Sequence, residues 1–332
     1  MHVTASAPTR IDLAGSTLDI WPLYLYHQGA QTLNAAITLR AYCTISERQD
    51  DRLYIRSLDT GLSCELREPF ELGHNSDFRL AALILQSLGG TNINLLTRSD
   101  SPIGAGIAGS SALNIAIHSS LAKWQGIEHS DEQLIRIAMN TEAQVIKVPT
   151  GIQDYYPAIY GGISAIELGS AGVHRVILDI DPVDIESRIL LAYTGSSRHS
   201  SINNWEIIKR HIDGDRDVFE HFEKIRDIAI NMRKALQRGD WDEVGHQIAL
   251  EWDSRKHLAP QITTPEIEAL IERAHAAGSA AAKVCGAGGG GCLLFFADPP
   301  AIPKVRRTLE DSGCLILDYK IDSRGVTLEV DK

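Results

Sequence analysis

The sequence predicts a mixed α/β fold of the α+β class, organised as two closely packed domains. Segments in the first third alternate apolar and polar residues and are rich in β-branched and aromatic side chains, as is typical of strands; they are residues 2–14, 30–47 and 51–58. From Ser76 the apolar residues recur at helical spacing and stop at Gly89 and Gly90, a residue type that commonly ends helices. With 332 residues, 44% of them hydrophobic, the chain can bury one large or two medium cores.

Two consecutive helices are predicted in the middle of the chain. The first begins where the glycine-rich stretch 104–109 ends, because the apolar residues that follow fall on one helical face. The second begins after Ser130, whose spacing to Gln133 is typical of a capping box, and it extends towards Pro149.

The remaining elements follow from the same patterns. Strands are predicted at 92–99, 162–168, 187–194, 280–286 and 292–297, and helices over 216–251 and 263–278. No element is assigned to 179–186, and we place a domain boundary there. The expected N-terminal domain is 1–185 and the expected C-terminal domain is 186–332.

Composition argues against two classes of partner. The formal charge of −11 and the lack of a long Lys/Arg run argue against nucleic acid, whose phosphates require a basic surface. No window approaches the roughly 20 uninterrupted apolar residues of a membrane-spanning helix, and the first residues lack the layout of a signal peptide. We therefore expect a cytoplasmic protein, monomeric or homodimeric, without a nucleic-acid or membrane partner.

The five cysteines are odd in number, widely spread and without a C-x-x-C pair. This spacing argues against both a disulfide framework and a structural zinc site. We expect reduced, packed thiols, including Cys285 and Cys292, which flank a second glycine run at 286–291.

The sharpest local feature is the run from Pro102 to Ala112, which reads as strand, glycine loop and helix start. Glycines let the backbone approach an anion closely, and a helix start presents free N–H groups and the positive end of its dipole. Phosphate is therefore the expected ligand. A plain helix cap would explain Ser110 and Ser111 but not Gly104, Gly106 and Gly109 spaced through the run.

The letters of residues 104–109 also match the dinucleotide fingerprint G-x-G-x-x-G of dehydrogenases. That fingerprint requires a βαβ unit with an acidic residue after the second strand, whereas here a second helix follows the first. The run 286–291 matches the same letters, so a single match carries little weight. A P-loop is unsupported too, because G-x-x-x-x-G-K-[ST] is missing.

A second candidate constellation pairs Glu142 with Asp154 across a turn marked by Pro149 and Gly151. Two carboxylates placed in this way can serve phosphoryl transfer, one on Mg²⁺ and one near the acceptor hydroxyl. Taken alone the signal is weak, since most Glu and Asp residues on helices and turns are solvated or capping groups.

Three separated blocks resemble the GHMP kinases, named for galacto-, homoserine, mevalonate and phosphomevalonate kinases. The blocks are APTRIDLAGSTLDIWP, SPIGAGIAGSSAL and KVCGAGGGGCLLFF, and TEAQVIKVPTGIQDYYPAIYGG lies between the second and third. Together they span roughly residues 5–297. The first block, QTLNAAITLRAYCTI and the segment from Thr263 most resemble bacterial heptose 7-phosphate kinases, although those kinases usually show a glycine-richer FAGGGTDLP. The segments PTGIQD and YGG also resemble galactokinases and glucuronokinases.

The resemblance implies a two-domain GHMP kinase fold with an active site in the cleft between the domains. The N-terminal domain would carry a left-handed βαβ-type phosphate loop, and the C-terminal α+β domain would be ferredoxin-like. The cofactors implied are ATP and Mg²⁺, with Ser111 and Glu142 holding the metal. The residues implied in nucleotide binding are Pro102, Gly104, Ala105, Gly106, Ile107, Ala108, Gly109, Ser110 and Ser111.

By the same resemblance, Asp154 would face the acceptor hydroxyl, and Arg10 would stabilise Asp154 and offset charge on the transferring phosphoryl group. Asp19 would bind sugar hydroxyls. The glycines at 286–291, with Gly288 on the substrate side, would form a turn that closes over the phosphate loop. The implied reaction is phosphorylation of a sugar hydroxyl of a heptose 7-phosphate or a related sugar, and we expect it at the anomeric hydroxyl.

A serine-rich segment after the predicted strand 187–194 carries Arg198 and His199. Arg presents a planar fork that matches phosphate or carboxylate oxygens, so we expect this pair to contact an anionic group of the acceptor. A solvated loop is the competing interpretation.

Other functions stay open from the sequence. Galactokinase-, fucokinase- or glucuronokinase-like activity would change only the sugar. A non-catalytic ATP- or sugar-binding regulator on the same fold is disfavoured by the joint presence of Ser111, Glu142 and Asp154. A kinase for a non-sugar alcohol such as homoserine or mevalonate is disfavoured by the sugar-kinase character of the first block.

Overall fold

The computed structural model describes residues 1–67, 69–72, 77–195 and 200–331. Within them the strands form two sheets, flanked by helices. The strands are β1 (His2–Ala14), β2 (Gln31–Glu47), β3 (Leu53–Ser57), β4 (Ser63–Leu66), β5 (Ile93–Ser99), β6 (Ile163–Gly169), β7 (Gly172–Ile177), β8 (Ile189–Tyr193), β9 (Ala281–Val284), β10 (Cys292–Phe296), β11 (Leu315–Ile316) and β12 (Thr327–Asp331). The α-helices are α1 (Arg79–Leu88), α2 (Gly109–Gln125), α3 (Asp131–Ile146), α4 (Tyr155–Tyr160), α5 (Pro182–Glu186), α6 (Ser200–Ile212), α7 (Arg216–Arg238), α8 (Trp241–Arg255), α9 (Pro265–Ala277) and α10 (Ile302–Asp311).

The larger sheet is organised around β2, which has 17 residues. Its main path runs β12-β1-β2-β5-β3-β4, and β6 pairs with both β2 and β7. One edge of β2 pairs with β1 along most of its length. The other edge is shared, because β6 pairs with residues 31–35 and β5 pairs with residues 41–47.

The first strand is irregular at two points. Its register against β2 shifts between Pro8 and Thr9 and again between Asp12 and Ala14. Pro8 lacks a backbone N–H and is therefore tolerated where the ladder is interrupted. Such irregularities re-aim side chains and often lie beside functional sites. Between the two shifts lies Arg10, which is buried.

The helix that follows the glycine loop, α2, is packed on nearly all sides. It contacts β1 and β2 of the larger sheet and also α1 and α3. Even polar side chains such as Asn114 and His118 are fully buried along it. Neither α2 nor another helix in the described part of the chain is long and apolar enough to cross a membrane.

The smaller sheet has the order β11-β8-β10-β9, and its neighbouring strands are antiparallel. Helices α7 and α8 pack against each other, and α8 contacts both β9 and β1. The stretch 216–251, expected to be helical, contains these two helices. They are separated by Gly239, which has φ +65°, and by Asp240, whose side chain accepts a hydrogen bond from the Glu243 N–H and caps α8.

The strands and helices predicted from periodicity are found close to their expected bounds. Most of the larger sheet precedes residue 185 and the smaller sheet follows it, but β12 pairs with β1 through Thr327–Asp331. The end of the chain therefore lies in the larger sheet, so the expected C-terminal domain 186–332 includes a strand of the other sheet. A division after residue 185 stays a prediction. The unassigned segment 179–186 contains α5, capped by the Asp181 side chain.

A buried cluster of charges connects the two sheets. Asp12 of β1 accepts hydrogen bonds from Lys283 of β9 at 2.6 Å and from Arg255 of α8 at 3.2 Å. Lys283 also lies 3.0 Å from Glu251 of α8, and all four side chains are buried. Burial alone would raise the pKa of Asp12, but the charges of Lys283 and Arg255 outweigh it and hold this pKa at about 2. Each charge in this cluster depends on its partners because it has lost its hydration.

We expect Lys283→Met to lower the free energy of unfolding by about 3–5 kcal/mol, because it leaves two buried carboxylates with less compensating charge. Lys320→Met is the matched control. The Lys320 side chain is 72% exposed and lies 2.8 Å from Glu186, so its loss should lower stability by less than about 1 kcal/mol. Urea unfolding of both variants gives the two values. If Lys283→Met and Lys320→Met lowered the free energy of unfolding by similarly small amounts, the fold would not depend on the buried cluster.

Candidate active site

A cavity of 410 Å³ lies beside the buried charge cluster, and Arg255 belongs to both. Its wall comes from distant parts of the chain. The lining includes Arg10, the loop that follows β1, the loop before α2, the α3–α4 connection, Asn204 of α6 and the glycine turn before β10.

The loop before α2 has the backbone geometry of an anion cradle. Gly104 and Gly106 have φ of +69° and +75°, and Ala108 has φ +63°, which is uncommon for a residue with a side chain. Helix α2 begins at Gly109, and its N-cap residue Ala108 makes no side-chain capping bond. The first amides of α2 therefore have no capping side chain and, with the positive dipole end, suit a phosphate group.

This phosphate loop (residues 102–109) rests against the glycine turn (residues 286–291) through main-chain contacts. The Cys292 N–H donates to the Ala105 carbonyl oxygen at 2.7 Å. A Cβ atom added to Gly106 would lie 2.1 Å from the Cys285 carbonyl oxygen, and one added to Gly286 would lie 2.8 Å from the Gly106 oxygen. No side chain larger than hydrogen fits between the two segments at these positions.

Arg10 joins the phosphate loop to the α3–α4 connection. Its Nε and Nη2 atoms lie 2.9 Å and 2.8 Å from Oδ1 of Asp154, and its Nη1 donates to the Gly106 carbonyl oxygen at 3.0 Å. Burial alone would lower the pKa of Arg10, but the charge of Asp154 outweighs it and raises this pKa. The guanidinium is thereby fixed in the cavity wall with its charge intact.

Glu142 of α3 lies beside the start of α2. Its Oε1 accepts from the Ser110 hydroxyl at 2.5 Å, and its Oε2 accepts from the Ser111 hydroxyl at 2.8 Å and from the Tyr155 hydroxyl at 2.6 Å. Burial raises the pKa of Glu142, and the hydrogen bonds from Ser110 and Tyr155 oppose the rise. The carboxylate is thus held by three hydroxyl groups.

Asp19, in the loop after β1, is buried and lines the cavity. Its Oδ2 accepts from the Gln153 N–H at 2.9 Å. A Cβ atom at Gly151 would lie 2.0 Å from the same oxygen, so the turn beside Asp19 needs glycine. Burial raises the pKa of Asp19 to about 7, and the charge of Asp154 acts in the same direction.

The donor set fits the groups that the sequence implies, a triphosphate and Mg²⁺. Phosphate oxygens suit the start of α2 because no side chain caps it. They suit the loop before it because Gly106, where a Cβ would collide with the Cys285 oxygen, leaves the backbone open to close approach. Ser111 and Glu142 would hold Mg²⁺, because both offer the hard oxygen ligands that this ion prefers.

Most residues singled out from the sequence meet at this cavity. Arg10, Asp19, Glu142, Asp154 and Gly288 line it. From the phosphate loop and the start of α2, the lining residues are Pro102, Gly104, Ala105, Gly106, Ala108, Gly109 and Ser110.

Two predicted residues, Ser111 and Ile107, are not part of the cavity lining, and the two others lie outside the described residues. Ser111 is buried, and its hydroxyl donates at 2.8 Å to Oε2 of Glu142, which does line the cavity. Ile107, expected in nucleotide binding, has its side chain fully buried in the hydrophobic core, and its carbonyl oxygen accepts from the Arg10 N–H at 3.0 Å. Its side chain therefore supports the loop from behind. Arg198 and His199 lie outside the described residues.

Sequence reasoning missed several residues of the site. Gln153 donates to the Ser16 hydroxyl at 2.8 Å as well as to Asp19, and its position next to Asp154 was the available signal. Arg255 carries no local signal, because its partners Asp12 and Gly286 come from distant strands and turns. Tyr155 follows Asp154 in the sequence, but its hydrogen bond to Glu142 has no local signal.

Two family models match the chain. The model described as GHMP kinases N terminal domain matches residues 77–162, and the model described as GHMP kinases C terminal matches residues 232–313. The first match includes the phosphate loop, Glu142 and Asp154, and the second includes the glycine turn.

Similarity to individual proteins extends over almost the whole chain. The D-glycero-alpha-D-manno-heptose 7-phosphate kinase of Campylobacter jejuni is 27% identical, and the match covers 98% of each chain. The mevalonate kinase of Thermococcus onnurineus is 26% identical, with 99% of each chain covered. A solved structure, a D-glycero-D-manno-heptose 1-phosphate kinase from Bacteroides thetaiotaomicron, superposes with a TM-score of 0.79 at 24% identity, covering 99% of each chain.

We expect Asp19→Asn to stabilise the unliganded protein more at high pH than at low pH. Because the folded-state pKa of Asp19 is about 7, above its ordinary value of 3.8, folded protein keeps a proton that unfolded protein has lost, and the native chain loses stability as pH rises through this window. The variant should gain about 2 kcal/mol on the native chain between about pH 5 and about pH 8 in urea unfolding. The exposed Asp298→Asn is the control and should show no such trend. If the difference in free energy of unfolding between Asp19→Asn and the native chain did not change with pH, the raised pKa of Asp19 would be contradicted.

Proposed function

The chain belongs to the GHMP kinase family, and we propose that it transfers the γ-phosphoryl group of ATP to a hydroxyl group of a sugar. Family membership confirms the fold and the phosphotransferase class expected from the sequence, with ATP as the phosphate donor of the family. The non-catalytic regulator stays disfavoured by the joint presence of Ser111, Glu142 and Asp154, the two carboxylates of which line one cavity.

The observation that carries the proposal is the position of Arg10. One buried guanidinium contacts both Asp154, beside which we place the acceptor, and Gly106 of the phosphate loop, where we place the triphosphate. A donor phosphoryl group between these two points would meet a fixed positive charge. Positioning and electrostatic stabilisation of this kind account for most of the catalysis in phosphoryl transfer.

The phosphate end of ATP would be held by backbone N–H groups of residues 104–109 and the start of α2. Mg²⁺, held by Ser111 and Glu142, would neutralise part of the charge on the phosphate oxygens. The glycine turn keeps the loop in this shape, because Gly106 and Gly286 are in contact. Residues 104–109 thus act through their backbone, and Ser110 and Ser111 of α2 act through their side chains.

At the acceptor side, Asp154 would orient the sugar hydroxyl and accept its proton as the new bond to phosphorus forms. Asp19, held by the Gln153 N–H, lies close enough to Asp154 for their charges to interact, and we assign it to a further sugar hydroxyl. A carboxyl with a pKa of about 7 can either donate to or accept from a hydroxyl at neutral pH.

As acceptor we propose a heptose 7-phosphate or a related sugar, phosphorylated at the anomeric hydroxyl. Similarity to the heptose 7-phosphate kinase over nearly the full length supports this choice. Among the described residues that line the cavity, the cations are Arg10 and Arg255, and each is already paired with a carboxylate. Recognition of an acceptor phosphate is therefore assigned to Arg198 and His199, which remain a prediction.

We expect a coupled ADP-release assay to show turnover with heptose 7-phosphate that exceeds turnover with galactose, fucose, mannose, glucuronate and mevalonate. A charge-assisted contact to the acceptor phosphate should favour the phosphorylated sugar by about ten- to a hundredfold in kcat/KM over the matching neutral heptose. NMR of the product identifies the phosphorylated hydroxyl.

In the same assay Asp154→Asn should lower kcat by about 100-fold or more and leave ATP affinity nearly unchanged.

The control for Asp154→Asn is Asp318→Asn, which removes a carboxylate that is 81% exposed and is not part of the cavity lining. Asp318→Asn should leave kcat and ATP affinity unchanged. Highest turnover with mevalonate would contradict the sugar assignment, and highest turnover with a neutral sugar would move galactokinase- or fucokinase-like specificity ahead. Near-normal kcat in Asp154→Asn would contradict the role given to that carboxylate.

A further inference from the structure

We propose that the hydroxyl group of Tyr155 is a positioning group for the metal-binding carboxylate, which it fixes in one orientation relative to Asp154. The proposal rests on the function assigned above, in which Glu142 holds Mg²⁺. It concerns a residue to which we assign no contact with the acceptor or the metal; its side chain is fully buried and is not part of the cavity lining.

The first observation is the number of hydrogen bonds at each oxygen of Glu142. Oε2 accepts two, from Tyr155 at 2.6 Å and from Ser111 at 2.8 Å, whereas Oε1 accepts one, from Ser110 at 2.5 Å. A carboxylate oxygen has two lone pairs in its plane, so Oε2 is saturated and Oε1 keeps one acceptor position. The Tyr155 hydroxyl therefore determines that Oε1 is the oxygen left for a cation.

The second observation is where Tyr155 lies in the chain. It is the first residue of α4 and directly follows Asp154, which forms the N-cap position of that helix. Asp154 points to Arg10 and the cavity, and Tyr155 points to Glu142 of α3. A single peptide unit thus couples the carboxylate that we place at the acceptor to the carboxylate that we place at the metal.

The third observation is that the bond from Tyr155 connects α4 to Glu142 of α3, whereas the other two donors to this carboxylate come from a different helix. The serine donors come from α2, and Tyr155 supplies the donor from α4. With donors from two directions, rotation of the carboxylate breaks at least one short hydrogen bond. Groups of this kind, bonded to a metal ligand, typically change metal affinity by about 10–100-fold when removed.

The neighbouring tyrosine offers a matched control. Tyr156 is also buried in α4, but its hydroxyl makes only long contacts, 3.4 Å to Glu132 and 3.5 Å to the Val173 carbonyl oxygen. Tyr156→Phe removes the same atom from the same helix without touching Glu142.

The test is calorimetric titration of ATP, in excess Mg²⁺ and in EDTA, without any acceptor so that no turnover occurs. In the native protein Mg²⁺ should strengthen ATP binding. In Tyr155→Phe that strengthening should fall by about tenfold, while ATP affinity in EDTA stays as in the native protein. Tyr156→Phe should behave like the native protein in both media. An unchanged effect of Mg²⁺ in Tyr155→Phe, or an equal loss in both media, would overturn the proposal.

Glu142→Gln separates this proposal from the assigned function. If Glu142 holds the metal, Glu142→Gln lowers the effect of Mg²⁺ on ATP binding, and adding Tyr155→Phe to it causes no further loss, since the hydroxyl acts through the carboxylate. Further loss in the double variant would overturn the role of Tyr155 alone. An unchanged effect of Mg²⁺ in Glu142→Gln would overturn the metal assignment itself, whatever Tyr155→Phe does. Near-ultraviolet circular dichroism of each variant shows whether its tertiary packing is native.

Discussion

The site depends on one close approach, that of the phosphate loop to the glycine turn. Gly106 and Gly286 meet backbone to backbone, and the Cys292 N–H donates to the Ala105 carbonyl oxygen. Arg255 strengthens the same junction by donating to both Gly286 and Asp12. Because the loop and the turn are far apart in the sequence, the cradle for phosphate exists only when the two sheets are docked. The glycines serve this docking as much as they serve the approach of an anion.

The carboxylates around the cavity are stabilised in different ways. Asp154 pairs with a guanidinium, Glu142 is held by three hydroxyl groups, and Asp19 has one backbone amide and a pKa raised to about 7. Different surroundings give chemically similar groups different tasks. This division matches the separate roles proposed for them in acceptor activation, metal binding and sugar recognition. Arg10 provides the fixed positive charge among them.

Local patterns in the sequence were sufficient for the longer elements and for the phosphate loop, because strand alternation, helix caps and glycine spacing are encoded by neighbours. They did not indicate β7, α6, α10 or β12. Pairings between distant residues were not accessible in this way. Nothing in the segment 327–331 indicates that it pairs with β1, and nothing near Lys283 indicates that it neutralises Asp12. Arg10 and Asp19 were identified by family resemblance, since an isolated Arg or Asp in a strand or loop has no distinctive pattern. The hydrogen bond of Tyr155 required the structure.

Nucleotide affinity of Gly106→Ala, compared with Gly126→Ala, tests most directly whether the close approach creates the site. Both glycines have positive φ, +75° and +68°, so alanine introduces similar backbone strain at each. They differ in surroundings, because the added Cβ lies 2.1 Å from the Cys285 oxygen at Gly106 and meets nothing within 4 Å at Gly126. We predict that calorimetry shows ATP binding weakened by about tenfold or more in Gly106→Ala and nearly unchanged in Gly126→Ala. Native ATP affinity in Gly106→Ala would contradict the account.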